Sequence, residues 1–290
     1  MNQSTAYITL YSSIFLLGLN GLFSNGMPLD AVTITQARSI FAGIALLLFM
    51  FATKGTATLA NKKSAAIVYG IGILMGLHWI SFFYAMQSSS VAIGMLSLYT
   101  FPIMTILLEP LFTRKKLKVV DIGLGAVVLL GLFIIISDHL SDTVNFFSNH
   151  VLLGVIAGVA SAVLFTLRNI LQKYYCAEIP SDTLMLHQML CIAMMLLYFV
   201  DTASLLLLES QQWLYLIILG VLATAIAHTM LIKSYKTFPA KTVAMVSCLQ
   251  PVLGSFFAWL VLNENLSATT IIGGSIILSV AIYESTKVSV

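Results

Sequence analysis

Apolar residues in this chain fill long unbroken blocks, about as long as the hydrocarbon core of a bilayer is thick, instead of falling in stripes. A helix needs about 20 mostly apolar residues to cross that core. Cutting the sequence at its polar breaks leaves ten such segments, at residues 5–24, 31–53, 65–86, 89–110, 119–137, 151–171, 182–201, 212–232, 240–262 and 267–285. Composition agrees. Hydrophobic residues make up 59% of the 290 and Asp, Glu, Lys and Arg only 9%, against about 25% charged in a soluble protein. So few charges cannot coat a water-facing surface, and the expected class is an all-α membrane protein. A net charge of +3 with basic residues in short scattered groups gives no nucleic-acid surface. The three cysteines, Cys176, Cys191 and Cys248, are far apart and imply neither a disulfide framework nor a metal site. Met1 to Thr5 carries no basic run, and no small-x-small cleavage site follows the first apolar block, so that block reads as a membrane helix.

Sidedness follows from the basic residues. Lys54, Lys62 and Lys63 follow the second segment, and Arg114, Lys115, Lys116 and Lys118 follow the fourth. Lys173 follows the sixth, Lys233, Lys236 and Lys241 surround the turn after the eighth, and Lys287 follows the tenth. With ten spans, these twelve of the 14 basic residues share one side, and only Arg38 and Arg168 fall within segments. The positive-inside rule makes that side cytoplasmic and places both termini there, in an inner (plasma) membrane. The longest polar interruption, from Ser137 to His150, divides the chain into halves of five segments, 1–140 and 141–290. An offset of 149 residues, the separation of Pro102 and Pro251, also places Asn20 on Asn169, Ile122 on Ile271 and Gly125 on Gly274. Five is odd, so the second half would enter the membrane from the opposite side. The expected architecture is therefore two inverted five-helix repeats, a construction used by secondary transporters.

The same residues resemble a known family. Gln250-Pro251-Val252-Leu253-Gly254, then Leu262-Asn263-Glu264-Asn265-Leu266, then Gly273-Gly274 are similar to the second-repeat signature of the drug/metabolite transporter superfamily, in its members with two EamA repeats. In the first half, Ala37-Arg38-Ser39-Ile40-Phe41, Phe83-Tyr84-Ala85-Met86 and Thr100-Phe101-Pro102 fit the same pattern. One position departs: opposite Glu264 the first half carries Lys115, with Glu109 earlier. The resemblance implies a carrier of small metabolites, most plausibly an exporter of amino acids or related polar or amphipathic compounds.

Polar residues within a membrane are expensive and usually face the bundle interior. Arg38 lies about seven residues into its segment, roughly 10 Å from the end. It is either tied to loop carbonyls or to Asp30, or it is an anion-attracting charge. Arg168, near the basic end of the sixth segment, reads as an interfacial anchor, or as a gate if it points inward. His78 and Trp79 open an aromatic run, and Trp79 falls on His228 at the 149-residue offset. Tyr99 and Gln250 precede Pro102 and Pro251, which are expected to kink their helices and free backbone carbonyls one turn back. The candidate substrate-binding set is thus Asn20, His78, Trp79, Tyr99, Asn169 and Gln250, with Arg38, Arg168 and His228 as gating or electrostatic groups. Interhelical hydrogen bonding is the competing role for the two asparagines.

No GxxxxGK[ST], HExxH or GxSxG stretch occurs, which leaves no signature of direct ATP coupling or of a hydrolase. No catalytic residue, metal site or cofactor is expected. The expected partners are the lipid bilayer and a small solute. Glycine-bearing faces on segments five and ten suit scaffold packing or a homodimer. Transport would be facilitative or exchange-type, or else proton-coupled through His78. A membrane scaffold without transport activity, and less so an intramembrane enzyme, are the competing functions.

Overall fold

Lipid offers the backbone no hydrogen-bond partner, so a segment crossing it must satisfy its own N–H and C=O groups as a helix. The computed structural model describes residues 3–20, 27–89, 91–114, 116–140, 149–262 and 267–287, and among these no strand occurs. The helices are α1 (Gln3–Gly18), α2 (Ala31–Thr53), α3 (Lys62–Ser88), α4 (Val91–Leu98), α5 (Phe101–Thr113), α6 (Val119–Leu140) and α7 (Asn149–Tyr175). They continue as α8 (Ser181–Leu196), α9 (Thr202–Leu206), α10 (Ser210–Gly220), a π-helical turn (Val221–Ile226), α11 (Ala227–Thr237), α12 (Ala240–Ser247), α13 (Leu249–Leu262) and α14 (Ala268–Thr286). Seven helical stretches among the described residues are long and apolar enough to cross a membrane: Ala31–Thr53, Lys62–Ser88, Ile93–Thr113, His150–Tyr175, Ser210–Thr237, Ala240–Phe257 and Ala268–Thr286. Val119–Ile135 and Ser181–Leu196 are shorter apolar helices. Lys115, the polar break at 141–148 and the Asn263–Leu266 part of the family signature lie outside the described residues.

Local chemistry sets the helix ends. Asp30 accepts from the Val32 and Thr33 N–H groups and starts α2, Asn61 accepts from Ser64 N–H at α3, and Ser267 accepts from Thr270 N–H at α14. At the other end of α2, Lys54 adopts φ 53°, and the following Gly55 N–H returns to Met50 O. A left-handed residue at this position is usually glycine, because a Cβ is strained there. Lys54→Gly is therefore expected to raise stability by about 1 kcal/mol, read as a higher Tm of the detergent-solubilised protein. A lower Tm would show that the lysine side chain matters more than its backbone.

Two expected spans are broken rather than kinked. The fourth segment stops at Tyr99-Thr100 between α4 and α5, and the ninth stops at Cys248 between α12 and α13. Pro102 and Pro251 stand in the first turn of the helix that resumes, where a missing N–H matters least. The prolines mark the restart of these helices, and the bend precedes them.

Helices of residues 3–140 pack on helices of 149–287 in exchanged pairs. The contact of α3 on α7 is matched by α1 on α11, that of α3 on α8 by α10 and the π turn on α2, and that of α4 and α5 on α7 by α13 and α12 on α1. The pairs α2–α8 and α6–α14 match themselves, whereas α5–α12 has no comparable α4–α13 contact among the described residues. Such an exchange is what a two-fold relation between the halves would give. Several glycines of segments five and ten pack within the chain, as the scaffold reading expects: a Cβ on Gly273 would lie 2.4 Å from the Gly131 carbonyl oxygen, so α6 and α14 touch backbone to backbone, while Gly123 is open. Large apolar side chains such as Phe51, Val119, Leu111 and Ile8 are exposed around the outside, as a lipid-facing surface requires.

Candidate functional site

The interior holds most of the residues singled out from sequence, gathered into linked groups. Arg38 is 2% exposed. Its Nε donates to Thr224 Oγ1 at 2.9 Å, and its guanidinium carbon lies 4.1 Å from the Trp79 ring centroid. Asp30 is not its partner; that carboxylate is occupied in capping α2. The close approach of α10 to α2 makes the Thr224 contact possible, because a Cβ on Gly220 would meet Phe41 Cβ at 2.5 Å and Arg38 O at 3.1 Å. The π turn then aims Thr224 inward, with its hydroxyl donating to Leu219 O five residues back. Trp79 packs edge-on against His228, ring centroids 5.4 Å apart. The two residues that the 149-residue offset superposes are thus in contact with each other.

His78 is held from α7. Its Nδ1 is 2.7 Å from Ser161 Oγ, Ser161 Oγ donates back to His78 O, and the imidazole stacks on Phe165 at 4.6 Å. From Phe165 the rings continue through Phe101 at 5.0 Å to Tyr99 at 6.0 Å. Tyr99 OH then donates to Gln250 Oε1 at 3.2 Å. That last bond joins the helix break of one half to the helix break of the other. A seam of rings therefore runs from His78, the neighbour of Trp79, to the paired breaks.

Arg168 does not extend to the membrane surface. It is fully buried, with Nε and Nη2 donating to Gln188 Oε1 at 3.2 and 2.7 Å and Nη1 donating to Asn169 Oδ1 at 2.8 Å. Neutral amide oxygens from α8 and from its own helix replace the water that snorkelling would have reached. Gln188 in turn donates to Gln172. Asn20 follows the end of α1 and is half-buried, with Oδ1 lacking a partner. No contact joins it to Asn169, its counterpart by offset, among the described residues.

A second polar group, at the basic end, was not foreseen from sequence. Glu109 Oε1 accepts from Tyr174 OH at 2.8 Å and Ala240 N–H at 2.9 Å, and its Oε2 accepts from Lys241 N–H at 3.0 Å. This carboxylate from α5 caps α12 across the two halves. Beside it, Lys241 Nζ reaches Asp121 at 2.8 Å and Glu284 at 3.4 Å, and Thr242 donates to Glu284 at 2.9 Å. A signal existed: Phe238-Pro239 precedes α12 where a Ser, Thr, Asp or Asn cap is usual, so its first N–H groups needed a distant acceptor. Toward the other end the helices meet closely among the described residues: a Cβ on Gly154 would overlap Ser89, and one on Gly158 would overlap Ser97, at 2.4 Å.

The chain is similar over most of its length to known transporters. It is 25% identical over 281 residues, 96% of this chain and 95% of the relative, to an uncharacterized transporter of Archaeoglobus fulgidus. It is 22% identical over 252 residues, 87% of this chain and 80% of the relative, to the uncharacterized transporter YxxF of Bacillus subtilis. A crystal structure at 16% identity superposes with a TM-score of 0.80, covering 99% of this chain and 97% of that one, which shows a shared fold. The model of the EamA-like transporter family matches twice, at residues 4–137 and 152–283. Its apolar helices and this double match make the chain an integral, multi-pass membrane protein belonging to the EamA-like transporter family.

Proposed function

We propose that this protein is a secondary transporter of small organic solutes, built as ten membrane helices in two inverted repeats of five, residues 1–140 and 141–290. It works by alternating access, with both termini on the cytoplasmic side of an inner membrane. The observation that carries the reading is the pair of facing helix breaks, at Tyr99-Thr100 and at Cys248, bridged by Tyr99 and Gln250. Discontinuous helices at matching places in two halves are where secondary transporters bind their cargo. His78, Trp79, Tyr99, Asn169, Gln250 and Asn20 form the solute-facing surface, and His228 and the two arginines set its charge. Ring faces and amides suit amino acids or related amphipathic compounds, moved outward. The closed basic end, held by Glu109 and Lys241, is one of the two gates. His78, already engaged with Ser161 and Phe165, favours exchange or facilitated movement over proton coupling.

Counterflow in proteoliposomes tests this. A panel of labelled amino acids is offered to liposomes preloaded with the unlabelled compound and a pH-sensitive dye. The expected result is solute accumulation with no proton movement, slowed at least tenfold by Tyr99→Phe, which removes the bond between the breaks. Failure of every small organic solute to exchange would leave the scaffold reading in its place.

A further inference from the structure

Both buried arginines lack a counter-ion, and this bears on what the proposed transporter carries. A guanidinium stays charged in proteins, and a buried charge is strongly unfavourable unless something of opposite sign approaches it. Among the described residues neither arginine forms an ion pair; the salt bridges belong to Lys241. The buried carboxylates are spent at the basic end, Glu109 on the α12 N–H groups and Glu284 on Thr242 and Lys241. Arg168 is surrounded by amide oxygens, which orient it without neutralising it. Arg38 uses Nε on Thr224 and one face on Trp79, while its Nη2 is buried with no acceptor. That group can only donate. Gln172 Nε2, near Arg168, is also a buried donor without an acceptor.

We infer that the transported solute is an organic anion, and that Arg38 recognises its carboxylate or equivalent oxyanion while Arg168 supplies a second buried positive charge. This rests on the transport reading and narrows its substrate class. Arg38, set against Trp79 with a free donor, supplies the direct contact. Arg168, fixed by Gln188 and Asn169, supplies field and orients the amides. The ring seam toward Tyr99 receives the apolar remainder of the solute.

Thermal unfolding of the purified full-length protein in detergent, with matched probes, tests the assignment, since a ligand binding only the folded form raises Tm. The probes are phenylacetate against phenylacetamide, succinate against succinamide, and N-acetyl-L-phenylalanine against its amide, with phosphate and sulfate alone as inorganic arms. At least one carboxylate should raise Tm by several degrees where its amide does not. That shift should be lost in Arg38→Gln and Arg168→Gln and partly kept in Arg38→Lys. Without ligand, Arg38→Gln should unfold no lower than wild type, because it removes an uncompensated charge; an arginine with a purely structural role would lower it. Equal shifts by carboxylate and amide, or persistence of the shift in both glutamine variants, overturns the anion assignment while leaving transport standing. A shift that phosphate or sulfate reproduces in full overturns the organic solute in favour of an inorganic oxyanion. Silence from all probes, with no counterflow of any solute, removes both this assignment and the transport reading.

Discussion

Glu109→Ala should lower stability by roughly 3–5 kcal/mol, the range for breaking a buried charged network. The carboxylate accepts three hydrogen bonds, from Tyr174 OH and from the N–H groups of Ala240 and Lys241. Its removal leaves one buried and two partly buried donors, a buried one costing about 1–3 kcal/mol when unsatisfied, and strips the anion from a helix N-terminus. For a chain of this size the Tm should drop by on the order of 10 °C. Glu109→Gln should fall between, because one amide oxygen can still accept. The loss also has a direction. Glu109 joins α5 to α12, so weakening it favours whichever conformation parts them, and about 3 kcal/mol shifts such an equilibrium on the order of 100-fold. Cys248, fully buried at the helix break beyond α12, is a built-in reporter. With Cys176 and Cys191 changed to serine, a membrane-impermeant thiol reagent applied to the basic side should label Cys248 much faster in Glu109→Ala than in its parent. Unchanged labelling together with an unchanged Tm would mean that this end is not a gate.

Gly273→Ala should be nearly as damaging through a single methyl group. The new Cβ would sit 2.4 Å from the Gly131 carbonyl oxygen and 2.7 Å from Ile135 Cγ1. Backbone cannot rotate away as a side chain can, so α6 and α14 must separate, and overpacking of this kind costs about 1–3 kcal/mol or more. Gly123→Ala is the matched control. It lies on the same helix as Gly131 with nothing within 4 Å of the added carbon, so helix propensity alone acts and stability should rise by about 0.5–1 kcal/mol. Paired Tm measurements decide it, and a Gly273→Ala protein at least as stable as the Gly123→Ala protein would refute the close contact of α6 and α14.

The large features were readable in the sequence because lipid imposes them. Residues 31–53 stood out as one apolar block, and Asp30 and Lys54 end α2 at those limits. The 149-residue offset carried more than similarity, since it paired Trp79 with His228, which touch. What stayed hidden depends on partners distant in the chain. Pro102 gave a bend but not its form, because the turn before it rests on Thr100, whose N–H and hydroxyl both donate to Ser97 O. Arg168 read as an anchor because sequence shows its depth and not its neighbour: Gln188, twenty residues on, turns it inward. Thr224 gave no signal at all, since nothing local announces a π turn. Glu109 read as a cytoplasmic-end carboxylate, while its acceptor role lies more than a hundred residues away.

The residues closing the basic end have no like counterparts at the other. At the 149-residue offset, Glu109 falls on Ala258, Lys241 on Ala92, Asp121 on Thr270 and Glu284 on Ile135. The family plan occurs twice, but among the described residues the salt bridges lie at one end. In the proposed cycle, parting that terminus separates Lys241 from Asp121 and Glu284, whereas parting the far one uncovers serine and glycine surfaces. The two excursions therefore differ in enthalpy and in sensitivity to salt, so a scaffold that is nearly symmetric in shape is polarised in its energetics.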